Sequence, residues 1–269
     1  MLNMNSHELK HALIALISVI SSTQEGVDYI THTQREPKKQ NLQVVEKLVY
    51  ILRDLEDGCV TQRFNIAALQ KLTAQTNASI EESVTEPIID LLVSRGMIQW
   101  CLNLLKRCQT KEIHSFCQDF GSALLANLLH ATNTLQMLER DQRQTTTIMN
   151  TLLNLINGVV ELENDREVAA SHSFQNSVLI HLLICLSYLS KERFTTSIEV
   201  CNFVDRISLF VETFSVQQIG ESDQESHDKK TILDLCAHMF HPKDATNGND
   251  ISATMEFNEL KQEEKIREF

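Results

Sequence analysis

Apolar positions along this chain gather into a short helical signature that recurs at nearly even spacing. It reads Ala12-Leu13-Ile14-Ala15-Leu16, then Ala68-Leu69-Gln70-Lys71-Leu72, then Leu124-Leu125-Ala126-Asn127-Leu128, then Leu182-Leu183-Ile184-Cys185-Leu186. The second residues fall at 13, 69, 125 and 183, so the steps are 56, 56 and 58 residues. A fixed period of this size is the mark of stacked helical units, none of which can bury its apolar face alone. Such arrays are surfaces for holding other proteins.

Between these signatures the pattern predicts further helices. The first begins after Ser6, a suitable N-cap, with Leu9, Leu13, Leu16 and Ile17 on one face. A short apolar patch at Val27, Tyr29 and Ile30 follows Gly26, and the polar stretch 31–41 reads as a loop. Residues 42–55 carry an amphipathic stripe of Leu42, Val45, Leu48, Val49 and Leu52, closed by Asp57-Gly58. Helices are then expected over 60–76, over 82–93 with Pro87 in a first turn, over 97–105 and over 112–131. Others are expected over 145–162, 174–189, 200–214 and 231–240, with the stretch at 174–189 apolar on nearly every side and therefore deeply buried. Beyond Pro242 the composition turns polar and acidic. The expected organisation is an armadillo-like helical repeat domain over 1–240 and an acidic, flexible tail over 241–269.

Composition narrows the picture. Only 7 glycines and 3 prolines serve 269 residues, too few turns for a sheet-rich fold, so the class is all-α. The repeat makes it a right-handed α-solenoid of about four armadillo-like units, each longer than the roughly 40–47 residues of a minimal unit. A formal net charge of -12 argues against a nucleic-acid partner and against an anionic membrane surface, both of which need a basic face. The 7 cysteines are odd in number and follow no disulfide or zinc framework, which points to a reducing, cytoplasmic setting. The apolar run 12–20 could pass for a leader core, but it belongs to the first repeat and follows Glu8 and two histidines rather than a basic segment.

Longer stretches carry a family resemblance. Glu25-Gly26 with Tyr29-Ile30 comes first, then Gln62-Arg63-Phe64-Asn65-Ile66-Ala67-Ala68-Leu69-Gln70-Lys71-Leu72. Gly96-Met97-Ile98-Gln99-Trp100-Cys101-Leu102 and Asp119-Phe120-Gly121-Ser122-Ala123-Leu124-Leu125-Ala126-Asn127-Leu128 follow in order. Over roughly residues 8 to 215 the chain resembles the armadillo region of the LisH-domain, armadillo-repeat ciliary protein family (armadillo-repeat-containing protein nine). That resemblance implies a noncatalytic protein of a ciliary or microtubule-associated complex, at the basal body, axoneme or ciliary tip. The family's LisH helix pair and coiled coil have no counterpart here, so LisH dimerisation is not implied and the oligomeric state stays open. Val27 stands where a basic residue would follow Gly26. The chain then reads as a short form, a fragment or a divergent paralogue of that family.

Three residues are candidates for protein binding. Asn127, on an inner helix, either presents its amide to an extended peptide in the groove or bonds a neighbouring turn. Lys71 at the equivalent position either reaches an acidic partner or is solvated. Trp100 is either core or an interface anchor. The copies carry Ala15, Lys71, Asn127 and Cys185 there, so no asparagine ladder exists. The alternative to a ciliary scaffold is an armadillo-type adaptor that binds a linear peptide of a cytosolic partner. Cys236, His238 and His241 lack the four-ligand spacing of zinc. No nucleophile with a placed base, phosphate loop or metalloprotease motif appears, so neither enzyme chemistry nor a cofactor is expected.

Overall fold

A computed structural model describes residues 7–33, 36–40, 42–74, 86–110, 113–164 and 172–190, together with 227, 230–232 and 234–235. Apart from one short ribbon, the described elements are α-helices. The chain divides into two compact units, 1–148 and 149–269. The first holds α1 (His7–Ile20), α2 (Gln24–Thr31), α3 (Gln43–Arg53), α4 (Val60–Thr73), α5 (Glu86–Ser94), α6 (Met97–Thr110), α7 (Ser115–His130) and α8 (Thr132–Arg140). The long helix α9 (Gln142–Asn164) begins in the first unit, and the second also contains α10 (His172–Ser190).

In the first unit α4 is the central element. It packs along α1 on one side and along α7 on the other. Helix α3 lies on α4, α6 lies on α7, and α5 bridges α4, α6 and α7. The signature residues occupy the middle of this packing: Ala68, Leu69 and Leu72 in α4 and Leu124, Leu125 and Leu128 in α7 are fully buried. Each buried leucine is worth about 1.5–3 kcal/mol of transfer free energy. Gly58 and Gly96 adopt left-handed backbone conformations between α3 and α4 and between α5 and α6. Gly58 closes the stripe 42–55 as the sequence predicts, Gly96 falls between the helices expected over 82–93 and 97–105, and glycine takes that conformation without a Cβ penalty.

Several expectations are corrected. The stripe assigned to α1 is buried only in part: Ile17 is buried beside Ile14 and Ser18 and Leu13 is half-buried, while Leu9 and Leu16 are exposed at 43% and 53%. Helix α1 is apolar on most sides, so periodicity alone does not choose between them. The patch after Gly26 is a helix, α2, whose start is fixed by the Thr23 hydroxyl accepting from the Gly26 N–H at 3.1 Å. The loop expected at 31–41 contains an antiparallel ribbon of β1 (His32–Thr33) and β2 (Glu36–Gln40). Residues 132–140, between the helices expected over 112–131 and 145–162, form α8, and α9 begins at Gln142, three residues before the expected start. The Asp141 carboxylate accepts from the Gln144 N–H at 3.0 Å, which caps that start.

In the second unit, residues 149–159 of α9 bury Leu152, Leu155, Ile156 and Val159. Every residue of α10 from Val178 to Tyr188 is buried, as its all-round apolar pattern predicts. The expected helix 200–214, the Cys236–His241 cluster and the tail 241–269 lie outside the described residues. Among the described residues no single helix is long and apolar enough to cross a membrane.

Candidate functional site

Asn127 sits near the end of α7 and is 8% exposed. Its Nδ2 donates to the Gln70 carbonyl at 3.1 Å and to the Thr73 hydroxyl at 3.1 Å, both on α4. Thr73 in turn donates to the Leu69 and Gln70 carbonyls at 3.0 and 2.8 Å. The amide nitrogen is therefore engaged at the last turn of α4, at a Gln70 carbonyl that also accepts from the Ala74 N–H at 3.0 Å. This is the neighbouring-turn arrangement that the sequence left open beside the groove.

Lys71 performs the related task one interface earlier. Its Nζ donates to the Ser18 carbonyl at 3.0 Å and to the Ser22 hydroxyl at 2.6 Å. Both acceptors lie at the C-terminal end of α1, where a cation also complements the helix dipole. Asn127 and Lys71 occupy the same repeat position and each reaches the preceding signature helix. Trp100, in the first turns of α6, is half-buried, and the structure does not bring it together with the other two.

A polar corner that sequence reasoning missed lies at the α3–α4 turn. Gln62 organises it: its side-chain carbonyl accepts from the Gly58 N–H at 2.7 Å and from the Cys117 thiol at 3.7 Å, and its Nε2 donates to Asp57 at 3.4 Å. The Gln62 N–H donates to the Cys59 sulfur at 3.3 Å, which caps α4. Asp57 also receives both arms of Arg107, at 2.7 and 3.0 Å. On the other side of the turn, His114 Nδ1 accepts from the Phe116 N–H at 3.2 Å and caps α7. The only sequence signal for this corner is the repeat itself, since Gln62 and Cys117 lie 55 residues apart.

The electrostatics of this corner favour the neutral forms of its thiols and imidazole. Burial pushes the Cys117 thiol up to about 12, reinforced by Cys108 and opposed by Arg63. Burial likewise pushes Cys108 up to about 11, opposed by Arg107 and reinforced by Asp57. Cys101, fully buried, is pushed well above the usual thiol range by the same cause. Desolvation, with Arg63 adding to it, lowers His114 below the usual imidazole value. Protonated thiols are weak nucleophiles and weak metal ligands, so the corner acts as a structural knot. Among the described residues no group of three or more His, Cys, Asp or Glu side chains is placed to hold a metal ion.

Comparison of the chain with protein-family models, with curated proteins and with solved structures returns no match.

Proposed function

We propose that this chain is a noncatalytic helical-repeat scaffold, a right-handed solenoid of about four armadillo-like units, which holds proteins together in a ciliary microtubule-associated assembly. One observation carries the scaffold reading. The signature helices α4, α7 and α10 bury equivalent residues at the repeat step, as in the row Leu72, Leu128 and Leu186. The helices α1, α4 and α7 pack in succession. A fold made by adding one unit to the next offers a long continuous surface for partners. The ciliary setting is supported by the sequence resemblance over residues 8 to 215. No observation favours the peptide-adaptor reading, because the Asn127 amide nitrogen bonds α4.

The test is the position of a tagged copy in ciliated cells co-stained for microtubules. Concentration at basal bodies, axoneme or ciliary tip is the expected outcome. A diffuse cytosolic or nuclear signal overturns the ciliary part and leaves the adaptor as the better account of the repeats.

A further inference from the structure

We propose that Ser22 is a phosphorylation site whose phosphate is received by Lys71. Ser22 lies half-buried in the short turn between α1 and α2. Its hydroxyl is 2.6 Å from the Nζ of Lys71, on α4, which also donates to the Ser18 carbonyl at 3.0 Å. The two residues are 49 positions apart, so the packing of α4 on α1 brings the cation to the turn.

A phosphate carries a charge of about −1.5 to −2 at neutral pH and three strong acceptor oxygens. An ammonium already within hydrogen-bond distance of the serine oxygen reaches those acceptors by rotation of its last side-chain bonds. Helix α2 begins two residues on, at Gln24, and a negative charge is favourable at that end of a helix. Repulsion from the end of α1 is muted, because its last four carbonyls already accept hydrogen bonds. Ile17 accepts from the Ser21 N–H, Ser18 from Lys71, Val19 from the Ser22 N–H and Ile20 from the Thr23 N–H.

The residues that follow suit a kinase that reads acidic side chains. Exposed Glu25 stands three positions after Ser22, and Asp28 stands six after it. That spacing recurs in the chain, at Ser83 and Glu86 for one, so it selects nothing without the placed lysine. The neighbouring hydroxyls are less suited. Ser21 is buried and donates to the Ile17 carbonyl at 2.7 Å, while Thr23 accepts from the Gly26 N–H and has Gly26 three positions on. A kinase takes its substrate extended, so α2 must open. It is 8 residues long and packs chiefly on the two-residue strand β1, which keeps a local opening cheap. In the transfer, Ser22 Oγ bonds to the γ-phosphorus of ATP as the bond to the β-phosphate oxygen breaks. ADP leaves, and the hydroxyl proton passes to the kinase's catalytic carboxylate. The product replaces a neutral contact with an ion pair that ties the α1–α2 turn to α4. This inference is independent of the ciliary reading.

Incubation of the 269-residue chain with MgATP and an acidophilic serine kinase, followed by peptide mass mapping, tests the site. Phosphate is expected on Ser22, lost in Ser22→Ala and sharply reduced in Glu25→Gln, an exposed change that leaves the fold as it was. The phosphorylated chain should melt about 2–4 °C above the unmodified one. Lys71→Met should still take the phosphate but lose that gain. Phosphate found only on other hydroxyls, or none at all, overturns the proposal. So does a Ser22 phosphate that leaves the melting point unchanged, lowers it or raises it equally in Lys71→Met, because the lysine is then a cap for α1 and nothing more.

Discussion

Helices α1 and α4 carry the same signature, yet their neighbours treat it differently. In α4 the residues Asn65, Ala68 and Leu72 are sealed by what precedes them, and the side toward α7 is sealed as well. In α1 the equivalent residues Leu9, Ala12 and Leu16 face outward, while Ile14, Ile17 and Ser18 are buried. The residue types at 12 and 16 match those at 68 and 72, so the difference lies in the neighbours. A repeat unit's apolar pattern specifies the faces to be covered, and the neighbours decide which of them are.

The largest effect comes from placing a charge in equivalent rows. Leu128→Asp puts a carboxylate into a fully buried site in α7. It should cost more than about 4 kcal/mol and unfold the first unit. Leu16→Asp, two repeat steps earlier and half-exposed, should change stability by no more than about 0.5 kcal/mol when measured on the dilute chain. Urea titrations followed by circular dichroism would decide. Similar losses in the two variants would erase the distinction between the buried and the exposed row.

Through its thiols, alkaline pH should act on α6 and α7, which carry Cys101, Cys108 and Cys117, while α1 carries no cysteine. The folded Cys117 and Cys108 are pushed up from 9.0 to about 12 and about 11, and Cys101 is raised as well. The folded state thus keeps protons that the unfolded chain releases. The contribution of these thiols is fully present below pH 9 and is lost as pH climbs through 9 toward 11–12. Each fully buried thiol should weaken the fold by about 1 kcal/mol per pH unit in that window. Melting curves between pH 8 and pH 10.5 or so should show the decline, with a shallower slope in Cys117→Ala. An equal slope in that variant would mean that other groups carry the effect.

Gly121 sharpens the same comparison at smaller scale. It stands where α1 has Leu9, and any Cβ would press on Leu104 of α6 at 3.0 Å. Gly121→Leu should overpack the α6–α7 contact and cost about 1–3 kcal/mol. Leu9→Ala, on the open side, should stay within about 0.5 kcal/mol. Chemical denaturation of both variants checks the pair, and a neutral Gly121→Leu would show that α6 yields at this contact.

Much of the helical plan was legible in the sequence, because the signature at 13, 69, 125 and 183 and the stop at Gly58 are local features. Less legible was which side of α1 is buried, since a helix apolar on most sides satisfies several neighbours equally well. Helix α8 escaped notice because Thr132–Arg140 offers few apolar residues and its N-cap, Ala131, supplies no side-chain acceptor. It is held from outside, by packing on α5 and α7 and by Asn133 donating to Asp90 at 3.3 Å. The Gln62 corner was hidden for another reason. Its members come from the α3–α4 turn, α6 and α7, and no short spacing joins Asp57, Arg107 and Cys117.

The smallest effects fall at the position that changes along the array. Asn127→Ala removes two buried donations to the last turn of α4 and leaves the Gln70 carbonyl without that partner, at a cost of about 1–2 kcal/mol. Lys71→Met keeps the aliphatic stem against α1 but loses the contacts to Ser18 and Ser22, and a half-buried cation at a helix C-terminus is worth about 0.3–1 kcal/mol. The two side chains tie different pairs of helices, so the double variant should show the sum of the single losses. Thermal melts of the three variants test this. A stable Asn127→Ala that loses a partner in a pull-down would turn the residue back into a groove contact, because a residue used for packing weakens the fold before it weakens any interaction.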